Sequence, residues 1–158
     1  MAGRHTFAMI KPDALQAGNA GQILAAIEEA GFNIRAMRLV RLSRVEAEAF
    51  YEVHRGRPFY TELVEFMSSA PAVALALEAV DAVAAWRGTI GATDPAEAAE
   101  GTIRRRFAES KGRNAVHGSD SDENAMREIA FFFPERELAL LGVVGGASVS
   151  PVTGGEGQ

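Results

Sequence analysis

Ala72-Val73-Ala74-Leu75-Ala76-Leu77 decides how the rest of this chain is read. Six consecutive apolar residues behind Ser68-Ser69-Ala70-Pro71 fit a short strand buried on both faces, while the three alanines keep a helix open as the alternative. A strand needs partners, and the flanking sequence offers them. Thr6-Phe7-Ala8-Met9-Ile10 reads as a first strand ended by Lys11-Pro12, because proline cannot donate to a ladder but fits the first turn of a helix. Phe32, Ile34, Ala36, Val40 and Leu42 alternate with Asn33, Arg35, Leu39 and Arg41, apart from Arg38 and two apolar residues out of phase, as a half-buried second strand. Ile129-Ala130-Phe131-Phe132-Phe133, before Pro134, reads as the last.

Helices fill the gaps. Asn19 and Gly31 bracket one with Ile23, Leu24 and Ile27 on its apolar side. Ser43-Arg44-Val45-Glu46 has capping-box spacing and opens a second. Phe59 to Met67 forms a third, and Asp81 can cap a fourth that runs through Trp86 towards Gly88. Asp94-Pro95-Ala96-Glu97 marks another start, and a loop from Arg104 to Asp120 precedes a last short helix. Four strands with helices segregated to one face give an α+β, ferredoxin-like sandwich: a four-stranded antiparallel sheet with helices packed on it. Residues 1–144 form one domain, and the glycine-rich stretch 145–158 reads as a flexible C-terminal tail.

Composition narrows the class. A chain of 158 residues with 47% apolar content can bury a real core. It has no cysteine, which excludes disulfide staples and thiolate metal sites. No stretch approaches the ~18 apolar residues of a membrane span, so the chain reads as soluble and cytoplasmic. The net charge of −5 opposes non-specific adhesion to nucleic acid or membrane. Against that background Arg104, Arg105, Arg106, Lys111 and Arg113 face only Glu109 within the same ten residues, a basic patch suited to a small anion.

Of three histidines, His5 and His54 have no local reason to be more than surface residues. His117 differs. It follows the basic loop and precedes Gly118, which gives space beside the ring, and a run of helix-capping residues. A neutral imidazole has a lone pair, and a nucleophilic nitrogen among guanidinium groups suits phosphoryl transfer, which depends on positioning and charge neutralisation. Read alone, it is more often a turn histidine satisfied by local hydrogen bonds.

Asn114-Ala115-Val116-His117-Gly118-Ser119-Asp120 resembles the active-site signature of the nucleoside diphosphate kinases. Ile10-Lys11-Pro12-Asp13, Arg57-Pro58-Phe59-Tyr60, Gly91-Ala92-Thr93-Asp94-Pro95, Thr102-Ile103-Arg104 and Glu128-Ile129 to Phe133 follow that family's order and spacing over residues 4 to 141. The resemblance implies transfer of the γ-phosphate of a nucleoside triphosphate, mainly ATP, to a nucleoside diphosphate through a phosphohistidine. It implies His117 as nucleophile, Glu128 fixing the ring, Ser119 holding that carboxylate, and Tyr51 near the reacting group. Lys11, Arg87, Thr93 and Arg104 would hold phosphates, Phe59 would stack on the base above Leu63, and Asn114 with Lys11 would meet the sugar. Mg²⁺ is implied as the cofactor, carried by the nucleotide phosphates rather than by a protein metal site. A homo-oligomer is implied, a hexamer before a tetramer, with no membrane partner and no obligatory nucleic acid. Lys111, where relatives commonly carry an apolar residue, and Arg105 with Arg106 depart from the family pattern. The rival reading is a non-catalytic ferredoxin-like module binding nucleotide or RNA through Phe59 and the basic loop.

Overall fold

The computed structural model describes residues 3–140 and 142. The expected tail, 145–158, lies outside them. Four strands, β1 (His5–Ile10), β2 (Asn33–Val40), β3 (Ala72–Glu78) and β4 (Val116–Gly118), form an antiparallel sheet in the order β2-β3-β1-β4. The decisive stretch is therefore a strand. Its alternation is one of size: Ala72, Ala74 and Ala76 face one core, and Val73, Leu75 and Leu77 face the other. The alanine side leaves room for the rings of Phe7, Phe50 and Phe132, and Phe7 and Phe132 stack 5.1 Å apart.

Helices α1 (Pro12–Gln16), α2 (Ala20–Glu29), α3 (Arg44–Phe50), α4 (Tyr60–Met67), α5 (Ala82–Ile90), α6 (Ile103–Phe107), α7 (Asp122–Phe132) and α8 (Glu135–Leu140) cover the sheet on both faces, not on one. Ile23 and Ile27 of α2 and Trp86 and Ile90 of α5 pack on the Val/Leu side. Phe50 of α3, Met67 of α4 and Ile129 and Phe132 of α7 pack on the alanine side. The capping box opens α3 as expected, with Glu46 N–H donating to Ser43 Oγ at 3.1 Å and Ser43 N–H to Glu46 Oε1 at 3.0 Å. Asn19 and Asp81 precede their helices without capping them through a side chain.

The strand expected at residues 129–133 is instead the end of α7. Ser121 caps that helix, and Ala125, Glu128, Ile129 and Phe132 form its buried face at helical spacing, leaving Phe131 37% exposed. The fourth strand comes from the expected loop: Val116–Gly118 pairs with β1, setting His117 opposite Met9. Asp94-Pro95 opens turns, not a helix; its Asp94 Oδ1 accepts from Ala96 N–H at 2.9 Å.

Candidate active site

The site is assembled where β1, β4 and the loop before β4 meet. Lys11 leaves β1 as Pro12 starts α1, and its backbone N–H donates to Ala115 O at 2.8 Å. Ala115 N–H in turn donates to Asp13 Oδ2 at 3.0 Å. Ala115 is fully buried and left-handed, with φ at +72°, a conformation alanine rarely adopts. Lys11 Nζ donates to Asn114 Oδ1 at 3.0 Å. Burial lowers the Lys11 ammonium to about 8; the Asp13 carboxylate pulls it upward and the Arg104 guanidinium lowers it further.

His117 is held by its backbone and by its ring. Besides the β1 ladder, Trp86 Nε1–H donates to its carbonyl at 3.0 Å. Nε2 lies 2.9 and 3.1 Å from the Glu128 carboxylate oxygens, a geometry suited to Nε2–H donating to Glu128. Nδ1 is then the open nitrogen, without a hydrogen-bond partner among the described residues. Phe7, Phe50 and Tyr51 surround the ring at centroid distances of 5.7, 5.6 and 6.3 Å. The side chain is still 20% exposed, against 6% for Glu128, so a reactant can reach the imidazole but not the far side of the carboxylate.

The ring opens on a cleft of about 820 Å³, within the range of small-molecule sites. Lys11, Tyr51, Phe59, Leu63, Arg87, Thr93, Arg104, Asn114, His117 and Glu128 all line it. Arg104 is braced by donating to the Gly91 and Val116 carbonyls at 3.0 Å each. Burial and the neighbouring Arg87 bring its guanidinium down to about 10, still a cation at neutral pH. Asn114 Nδ2 donates to Thr93 O at 3.4 Å, tying the two expected ligand residues together. The Tyr51 hydroxyl is buried without a partner, and burial with the Glu128 charge raises its pKa, so it stays a phenol able to donate. Phe59, 48% exposed just before α4, stands at the rim, and Leu63 lies half-buried one turn on.

Two expectations are corrected. Ser119 is buried and does not line the cleft; its Oγ donates to Phe7 O at 3.5 Å and so braces the sheet, not the Glu128 carboxylate. Gly118 does not leave space beside the ring: a Cβ there would fall 2.9 Å from Trp86 Cδ1 and 3.0 Å from Ile90 Cδ1. Sequence reasoning also missed His54, Asp120 and Arg127, which line the cleft. His54 stacks on Tyr51 at 6.3 Å and meets the Phe59 ring edge-on at 5.4 Å; desolvation, and then His117, lower its pKa. Arg127 donates to Phe50 O at 3.2 Å. Asp120 follows β4 directly, whereas His54 and Arg127 reach the cleft through the 3₁₀ turn Glu52–His54 after α3 and through α7 packed on β1, which local sequence does not reveal.

The family model described as nucleoside diphosphate kinase matches residues 4–138. A nucleoside diphosphate kinase of Phenylobacterium zucineum is 57% identical over 133 residues, spanning 84% of this chain and 96% of the relative. One from Flavobacterium psychrophilum is 58% identical over 137 residues, spanning 87% and 99%. Among solved structures, the Aquifex aeolicus nucleoside diphosphate kinase superposes with a TM-score of 0.83 at 47% identity, covering 85% of this chain and 97% of that one. The Halobacterium salinarum enzyme in complex with CDP gives 0.80 at 38% identity, covering 84% and 89%. With the match extending from the start of β1 into α8, and with two thirds and more of each chain aligned, this chain belongs to the nucleoside diphosphate kinase family.

Proposed function

We propose that this chain is a nucleoside diphosphate kinase in which His117 carries the phosphoryl group between two nucleotides. The observation that carries the reading is the held imidazole: Nε2 on Glu128 at 2.9 Å and Nδ1 open towards the cationic cleft. The Nδ1 lone pair forms a bond to the γ-phosphorus as the bond to the bridging oxygen breaks, and the diphosphate leaves with that electron pair. A terminal oxygen of a second diphosphate then attacks the phosphohistidine, and Nδ1 recovers its lone pair. Positive charge on the ring as the N–P bond forms is stabilised by the Glu128 carboxylate. Lys11, Arg87 and Arg104 neutralise the peripheral oxygens, Tyr51 donates its free O–H, and Thr93 joins them on the phosphates. Phe59 offers a stacking face that suits any base, with Leu63 beside it, and Asn114 and Lys11 reach the sugar.

Mg²⁺ would be carried on the nucleotide phosphates, where it would offset their charge together with Lys11, Arg87 and Arg104 of the cleft. The same reading makes residues 1–144 the catalytic domain of a cytoplasmic enzyme; no helix among the described residues is long and apolar enough to cross a membrane. It also makes the enzyme a homo-oligomer, hexameric rather than tetrameric. Self-association is supported by edge strand β2, which exposes Met37 at 52% and Leu39 at 67%. The test is incubation with ATP and Mg²⁺. An acid-labile, alkali-stable phosphate on the wild-type chain, absent from His117→Ala together with exchange between ATP and a second diphosphate, is expected; an unlabelled wild-type chain refutes the reading.

A further inference from the structure

We infer that Asp13 is a positioning residue for the transfer: its carboxylate sets both the backbone that presents His117 and the charge that Lys11 offers to the phosphates. The inference rests on the roles given above to Lys11 and His117.

The first half is geometric. Ala115 stands two residues before His117 in a left-handed conformation that only a surrounding constraint keeps populated. That constraint is a clamp from one turn of chain: the Lys11 amide takes the Ala115 carbonyl, and Asp13 Oδ2 takes the Ala115 amide. Residues 114 and 116–117 leave the clamp in opposite directions, Asn114 towards Lys11 Nζ and His117 into the ladder with Met9. Releasing Ala115 would loosen both sides of the cleft floor together.

The second half is electrostatic. Asp13 is 4% exposed and its Oδ1 is buried without a hydrogen-bond partner. To hold one amide a neutral side-chain oxygen would serve, and a buried carboxylate with an unbonded oxygen is an unfavourable choice unless its charge acts elsewhere. It acts on Lys11. Arg104 from α6 and Arg87 from α5 share the cleft with Lys11, Tyr51 and His117 also line it, and the Glu128 oxygens are taken by His117. Asp120 is occupied by Asn124 Nδ2 at 2.6 Å, and Glu97 lines the cleft elsewhere without acting on the lysine. Asp13, buried with Lys11 and two residues along the same turn, is the carboxylate that favours the charged ammonium against its desolvation and against Arg104.

The test is the pH profile of kcat/KM for phosphate exchange in the full-length enzyme. Asp13→Asn retains an oxygen for the Ala115 amide and removes the charge. Its activity at pH 6.5 is expected to fall only a few-fold, while the alkaline limb moves down by about one unit. Asp13→Ala, which also frees Ala115, is expected to lose kcat at every pH, and Ala115→Gly in that background to recover part of it because glycine adopts φ > 0 without strain. Lys11→Ala separates the two readings. A limb absent in Lys11→Ala but unmoved in Asp13→Asn overturns the inference alone; a limb retained in Lys11→Ala removes the role of Lys11 and the inference with it. Should the Asp13 variants not fold, amide exchange in the wild-type enzyme decides: the Ala115 amide is expected to be protected from exchange, and loop-like exchange at that amide overturns the clamp.

Discussion

Replacing Glu128 by glutamine isolates what the carboxylate charge contributes. The side chain is 6% exposed and lies 2.9 Å from His117 Nε2, so water does little to screen it. Glutamine can keep an oxygen on the Nε2–H; only the charge is lost. A hydrogen bond to a charged partner contributes about 1.5–3 kcal/mol and a neutral one about 0.5–1.5, so the difference felt as the ring becomes positive is about 1–2 kcal/mol. At 1.36 kcal/mol per decade this slows phosphohistidine formation by about 5–30-fold. Glu128→Ala is expected to be slower still, because it leaves the Nε2–H unpaired and its tautomer no longer fixed. The assay is single-turnover transfer from labelled ATP, quenched in alkali, with nucleotide affinity measured separately and expected to be unchanged. Glu128→Gln forming phosphohistidine at the wild-type rate would refute the assignment of charge stabilisation to this carboxylate.

Gly118→Ala places a methyl group against buried Trp86, whose indole holds the His117 carbonyl, so overpacking of about 1–3 kcal/mol is expected to lower Tm by several degrees and kcat with it; unchanged thermal unfolding would show that the indole can move aside freely. Activity and stability are expected to diverge on the alkaline side. Lys11 titrates near 8 when folded and near 10.5 otherwise, so between these values the unfolded chain binds more protons and this group's contribution to stability rises with pH. The cation proposed to hold the phosphates is lost over the same interval, and a parallel decline of urea stability and kcat/KM between pH 8 and 9.5, in wild type but not in Lys11→Ala, would contradict this.

Much of the fold was legible because its signals are local. Pro12 after Lys11, the Ser43–Glu46 capping box and the apolar run at Ala72–Leu77 each act within a few residues, and each element formed where these signals stood. The fourth strand escaped because three residues carry no periodicity; Val116–Gly118 is a strand only by pairing with β1. The three phenylalanines at 131–133 suggested a strand by composition, but Ser121 and the acidic pair Asp122 and Glu123 had already begun a helix that carries through Phe132. Cover on both sheet faces was legible in β3, whose alanines and larger residues make both of its sides apolar; assigning the helices to one face overlooked it. Within the cleft, the family resemblance named ten lining residues, while His54 and Arg127 depended on how separate elements pack. The role of Ser119 came only from the family resemblance, and its own sequence context does not say that its hydroxyl meets the Phe7 carbonyl.

The collar of Phe7, Phe50 and Tyr51 about the His117 ring has a kinetic consequence. On the proposed mechanism a ring so enclosed cannot swing from a donor's seat to an acceptor's, so both nucleotides would have to occupy the same cavity in turn. A diphosphate that arrives before its phosphate is loaded then sits where the triphosphate must dock. Abundant acceptor therefore obstructs the first half of the cycle, and turnover follows the ratio of tri- to diphosphates as much as the amount of either.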